Sequence, residues 1–297
     1  MSTLFSSILV PLDGSHIAAQ SLGCATWLAS RLSARLHILS ATSQEIPARE
    51  ELARLKVPEE HWPLVTLHQA PVYPAEAILA AVARHDVRLV VMTACGETAE
   101  TAAAVEQAPS KVIGNVTRAI IERSAVPVLL LPPNYREALP WERALVPVSG
   151  ETEVDEALAL AVRLANALDL EVHVAHVADS DTGDESLSAR ARYADALHHE
   201  YPRQLEEFVS RALPQCAPEE CRRVVDIALC HGDIVTELLK LIERKRISVI
   251  VVGWHGRFLT GQARVLTELI QAIANPVLLV QRKPRTTLTL KVGEEIE

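Results

Sequence analysis

Two kinds of hydrophobic pattern alternate along the chain. Short unbroken apolar runs are followed by stretches where apolar positions recur every three or four residues. The first kind suits strands buried on both faces of a parallel sheet, and the second suits amphipathic helices. The first run, Ile8-Leu9-Val10-Pro11-Leu12, predicts a strand over residues 6–12. Pro11 is tolerated only near its end, because proline has no N–H for the ladder. Asp13-Gly14-Ser15 makes the turn, with Ser15 as a suitable N-cap. Residues 16–32 then read as a helix with Ala18, Leu22, Ala25, Leu28 and Ala29 on one face. Strands follow over 35–41, 64–69, 88–93 and 127–131, and helices over 49–56, 74–84 and 112–123. Pro74 fits the first turn of its helix. The Ala- and Glu-rich stretch 97–109 reads as a short extra helix.

The chain then writes the pattern again. Ala144-Leu145-Val146-Pro147-Val148-Ser149-Gly150 restates the first strand and its turn. Strands are predicted over 143–148, 171–177, 222–230, 248–253 and 276–281. Helices are predicted over 153–168, 186–213 (interrupted near Tyr201-Pro202), 233–245 and 262–274. Such an internal repeat of strand–helix units predicts an α/β fold, two tandem Rossmann-like doubly wound five-stranded parallel sheets. The expected division is a first domain over 1–133, a linker over 134–142, a second domain over 143–283 and a tail over 284–297. The tail contains Thr287-Leu288-Thr289-Leu290, which alternates as an edge strand does but also suits an unstructured end. In open sheets of this kind ligands bind beyond the carboxyl ends of the strands, where the winding reverses. That rule points to the turn at Asp13–Ser15 with residues 93–96, and to Ser149-Gly150 with residues 253–256.

Length and composition agree with this organisation. A chain of 297 residues fits about two domains. A hydrophobic share of 49% marks a folded globular protein. The net charge of −9 argues against nucleic-acid or anionic-membrane partners, which need a cationic surface. No apolar run approaches the roughly 18 residues of a membrane span. No signal peptide is visible at the start, so a cytoplasmic location is expected. The five cysteines suit thiols in a reducing compartment better than a disulfide framework.

The order and spacing of several segments resemble the universal stress protein family in its tandem two-domain form. The carriers in the first half are ILVPLDGS at 8–15, PAEAIL at 74–79, the VVM strand, and Gly114-Asn115-Val116 leading to PVLLL at 127–131. In the second half they are ALVPVSG at 144–150, VVGWHGR at 251–257 and NPVLLV at 275–280. The resemblance implies an adenine nucleotide, ATP with Mg²⁺, held by a loop of pattern Gly-x2-Gly-x9-Gly-Ser/Thr and accompanied by an aspartate ending the first strand. Glycines there admit backbone N–H groups to phosphate, and a helix N-terminus adds its positive end. The first half offers Asp13, Thr93, Gly96, Gly114 and Asn115. Thr93 stands where the first glycine belongs and adds a branched side chain. Seventeen residues separate Gly96 from Gly114, eight more than the pattern, and the surplus carries Glu97, Glu100 and Glu106. The second half offers Gly253, Gly256 and Arg257, but has Ser149 for the aspartate and Ala263-Arg264 for the closing pair. The functions implied are a regulatory binding module of stress response, a weak Mg²⁺-dependent ATPase, or a scaffold or small-ligand binder that has lost nucleotide. The resemblance also implies pairing through the last strands, as an intrachain pseudo-dimer and in a homodimer.

Other residues compete for a role. Cys216, Cys221, Cys230 and His231, with His198 and His199 upstream, are zinc-type ligands. Their spacing is wide and Cys230 ends a strand, so buried thiols are the plainer reading and no metal is expected. Cys95 lies in the first loop, where a helix N-terminus would lower a thiol's pKa and make it redox-responsive, or it is a small residue tolerated in a turn. His255 stands where a general base would meet phosphate, or is a polar cap. No nucleophile–base–acid set has meaningful spacing, so no catalytic residue is assigned.

Overall fold

The computed structural model describes residues 4–96, 113–148, 155–178, 220–254 and 261–281. The first half contributes β1 (Ser7–Pro11), β2 (Arg35–Ala41), β3 (Val65–Ala70), β4 (Leu89–Thr93) and β5 (Val128–Leu131). The second contributes β6 (Arg143–Val148), β7 (Glu171–Ala178), β8 (Val224–His231), β9 (Val249–Trp254) and β10 (Val277–Gln281). Together they make one ten-stranded sheet in the order β3-β2-β1-β4-β5-β10-β9-β6-β7-β8. Neighbours are parallel within each half. At the centre β5 and β10 run antiparallel, with Leu130 opposite Val277, Leu129 opposite Leu278 and Val128 opposite Leu279. The two expected sheets are therefore one sheet joined edge to edge, as an intrachain pseudo-dimer requires. Two apolar strands that would each be a sticky edge cover one another.

The helices are α1 (His16–Ala19), α2 (Ser21–Leu32), α3 (Ala48–Arg54), α4 (Pro74–Arg84), α5 (Asn115–Arg123), α6 (Asp155–Leu168), α7 (Ile234–Lys245) and α8 (Gly261–Ala272). Alternate strand residues serve opposite faces. Ile8 and Val10 join a core with α1, α2, α3 and α6, while Leu9 joins one with α4, α5, α7 and α8. Both cores contain residues from both halves. Burying each large aliphatic side chain contributes about 1.5–3 kcal/mol, which outweighs the weak intrinsic strand preference of any one run.

Three local features differ from the sequence pattern. The helix expected over 16–32 is divided at Gln20, where the Ser21 hydroxyl donates to the Ala18 carbonyl at 2.6 Å. The strand expected to stop at Gly253 continues to Trp254, whose side chain is buried. The connection between the halves is packed and not a loose spacer. Trp141 is buried edge-to-face on Trp27 of α2, with ring centroids 5.0 Å apart, and the Arg136 N–H donates to the Ala274 carbonyl at 3.3 Å. The expected helices over 97–109 and 186–213, and the tail, lie outside the described residues.

Candidate functional site

In the first half β1 and β4 are neighbours, and β1 is flanked by β2 on its other side, so the winding reverses between β1 and β4. The turns that leave these two strands meet. At the end of β1 the Asp13 carboxylate accepts from the Ser15 N–H at 2.9 Å. The Ser15 hydroxyl accepts from the Ala18 N–H at 3.0 Å and caps the short α1. Between them Gly14 sits at φ +89°, a conformation that suits glycine. From the β4 side, Gly96 comes so close to Asp13 that a Cβ on it would lie 2.5 Å from Asp13 Oδ2. Any side chain at Gly96 would displace that carboxylate.

Behind this pair stands the N-terminus of α5. Gly114 is its N-cap, with no capping side chain, and its N–H donates to the Ala94 carbonyl at 2.8 Å. Asn115 is the first helical residue. Thr117 Oγ1 donates to the Thr93 carbonyl at 3.2 Å. Asp13, Gly96, Gly114 and Asn115 thus lie on the turns and helix start gathered around one switch point. Thr93 belongs to the same place in a different way. It is buried, and its hydroxyl donates to the Cys95 carbonyl at 2.6 Å, so the branched side chain braces the loop from behind.

Cys95 departs from the sequence expectation. The thiol is buried and burial pushes its pKa up, opposite to the lowering expected of a helix N-terminus. Desolvation dominates because the thiolate would sit in an apolar environment.

Sequence reading missed a cationic wall beside the same turn. Glu51 of α3 is fully buried, with 0% of its side chain exposed. It accepts from the Ser40 hydroxyl at 2.5 Å and from Arg54 Nε and Nη2 at 2.7 and 2.6 Å. The Arg54 hydrogen bonds hold its carboxyl below the usual range, against burial, which acts the other way. Arg54 Nη2 also donates to Ser40 at 3.1 Å, which fixes the guanidinium plane. Its Nη1 then lies 3.2 Å from where a Cβ of Gly14 would stand. Lys56 Nζ donates to the Gly14 carbonyl. The sequence shows only that Arg54 and Lys56 flank Leu55, which is buried in the structure, and Lys56 adopts a positive φ of 60°.

The second half has its reversal between β6 and β9. Gly253 is a strand residue of β9 opposite Val280 of β10. Ser149, His255, Gly256 and Arg257 lie outside the described residues. Ala263 is buried within α8, and Arg264 is exposed and pairs with Glu268 at 2.8 Å. Helix α8 has 12 residues against 9 in α5. Both end the same distance before the proline preceding the last strand of their half, so the extra turn is at the N-terminus. Gly261 is the first residue of that helix.

Of the metal-type residues, Cys216 lies outside the described residues and Cys221 belongs to the 3₁₀ turn Glu220–Arg223. Cys230 is half-buried in β8, and burial raises its thiol pKa. Among the described residues no group of three or more His, Cys, Asp or Glu is placed to hold a metal ion. Nor is any described helix long and apolar enough to cross a membrane.

These features define a doubly wound α/β protein built as an internal tandem, with the strand-end turns of its first half gathered at a switch point. The family model described as the universal stress protein family matches residues 40–132 and 140–281, and the chain belongs to that family. A solved structure of a functionally unknown protein from Pseudomonas aeruginosa PAO1 is similar over 94% of this chain and 93% of its own, at 16% identity and a TM-score of 0.65. A universal stress protein from Archaeoglobus fulgidus DSM 4304 is similar over 94% of this chain and 97% of its own, at 16% identity and a TM-score of 0.56. A universal stress protein solved in complex with cAMP matches 48% of this chain and 98% of its own, at 18% identity and a TM-score of 0.36. No curated protein matches the chain significantly.

Proposed function

We propose that the chain is a regulatory binding module that holds an adenine nucleotide in its first half without turning it over. The observation that carries this is the meeting of Asp13 and Gly96 at the β1–β4 reversal, where a side chain on Gly96 would collide with the carboxylate. A carboxylate at that point accepts from sugar hydroxyls, and bare backbone beside a helix N-terminus suits phosphate. Thr93 supports the loop from behind. Arg54 and Lys56 add positive charge on the β1 side, which offsets the acidic residues of the loop. Mg²⁺ would enter with ATP and would neutralise its phosphates. Among the described residues of the second half, the extra turn of α8 puts Ala263 and Arg264, which align with Gly114 and Asn115, inside a helix, and Arg264 pairs with Glu268, which favours the first half as the site. The expected stoichiometry is one nucleotide per chain. A homodimer would need a surface other than β5 and β10, since these are paired within the chain.

The test is isothermal titration of the nucleotide-stripped full chain with ATP and Mg²⁺. Binding that disappears in Asp13→Ala, with the fold intact by circular dichroism, is the expected result. Absence of heat together with absence of a thermal shift sinks the reading. Phosphate release by the loaded protein would replace the regulatory reading with a hydrolytic one.

A further inference from the structure

Three histidines of the first half are stacked away from the Asp13 turn. His37 of β2, His68 of β3 and His85 at the C-cap of α4 have ring centroids 5.1, 5.9 and 3.9 Å apart, with planes within 25° of parallel. His37 is 6% exposed, and its Nδ1 is 2.9 Å from His68 Nε2. That bond needs one nitrogen to lack a proton, so it cannot form between two imidazolium ions. His37 Nε2 is buried with no partner among the described residues. The other groups acting on the stack are also cationic when charged. Arg35 and His85 act on His37, and His85 and His37 act on His68, in each case after burial. The turn that carries His85 also carries Arg84, Asp86 and Arg88, and Asp86 is paired with Arg88 at 2.7 Å.

The second half supplies an internal control. His37 lies opposite Leu9, and His173 of β7 lies opposite Leu145, the matching position of the repeat. His173 is 7% exposed, so both positions bury an imidazole. Its neighbours carry the opposite charge: Asp226 Oδ2 is 3.6 Å from Nδ1 and Glu171 Oε2 is 3.8 Å from Nε2. Lys245 pairs with Asp226 at 2.7 Å. A proton on His173 meets carboxylates; a proton on the first-half stack meets imidazoles and Arg35.

We propose that the His37–His68–His85 stack is an acid-responsive latch, which pins α4 to β2 and β3 while neutral and releases them when protonated, leaving the second half closed. The sign follows from linkage. His37 and His68 bind protons less readily folded than unfolded, chiefly through burial, and His68 is lowered from 6.5 to about 4. The stability they contribute is complete above about pH 6.5 and is lost as the pH falls toward 4.

Hydrogen exchange of the full chain tests this, comparing segments 35–41, 65–70 and 74–84 with 171–178 and 234–245 at the same pH. Going from about pH 7.5 to about pH 5, protection of the first set should fall about tenfold relative to the second, the change carried by one unit of pKa displacement. The triple variant His37→Gln, His68→Gln, His85→Gln should abolish that relative fall. Equal loss in both sets, no loss, or a fall that persists in the triple variant overturns the proposal. If the triple variant does not fold, an NMR titration of the wild-type imidazoles decides. His37 and His68 titrating below free histidine support the latch, and titration at the free value sinks it.

Discussion

The two halves repeat one plan, yet their last helices begin differently. In the first half α5 starts at Asn115 with a bare glycine cap, and its N-terminus backs the turn where Gly96 meets Asp13. In the second, α8 starts about one turn earlier, and the residues that align by spacing are a buried Ala263 and an Arg264 paired along the helix. A glycine at a helix start works through the unpaired N–H groups of the first turn. When the helix lengthens, that function moves with its end and leaves the old position free to become ordinary helix. Alanine and arginine, both good helix formers, occupy it.

Substitutions can break or sharpen this contrast. The largest effect is expected where the halves are not distinct. Leu130 is fully buried opposite Val277, and Leu130→Ala should destabilise the chain by about 2–5 kcal/mol. Denaturant unfolding followed by exchange in both halves should show one lowered transition; a shift confined to the first half would mean that the seam carries little. Next comes Glu51→Gln, which leaves Arg54 and Ser40 with a weaker acceptor. A loss of about 1–3 kcal/mol is expected, toward the low end because Arg54 is 44% exposed. Nucleotide affinity should weaken with it as the guanidinium loosens, and unchanged stability would contradict the network. The smallest is Gly114→Ser. A Cβ there meets only ordinary contacts, at 3.6 Å and beyond, and a serine cap should add a few tenths of a kcal/mol. ATP affinity should nevertheless fall, because the hydroxyl fills the space kept for the ligand. Parallel thermal and titration measurements would separate the two signs.

Much of this could be read from the sequence, for identifiable reasons. Strands such as Leu89–Thr93 declare themselves because a parallel strand buried on both faces must be apolar throughout. Asp13, Gly96 and Gly114 stand out because turns restrict residue type sharply. The Glu51–Arg54–Ser40 network was not legible, because Ser40 ends a strand and Glu51 lies on a helix beyond a loop; only the packing of α3 onto β2 brings them together. The histidine stack was hidden for the same reason, its rings arriving from three elements. Of the two readings of Cys95, the small residue in a turn fits the structure, because loop position gives the sign of the dipole and says nothing about burial, which here is the stronger influence.

The antiparallel seam of β5 against β10 has a consequence for how such a molecule responds to concentration and to mutation. Two separate copies would part on dilution, and one substitution would strike both sites at once. Here a packed connection keeps the partners at an effective concentration on the millimolar scale or above, so the seam stays closed at any dilution. Each half also carries its own stretch of coding sequence. One can keep its Asp13 turn while the other is released from that duty, which makes the chain a permanent heterodimer with itself.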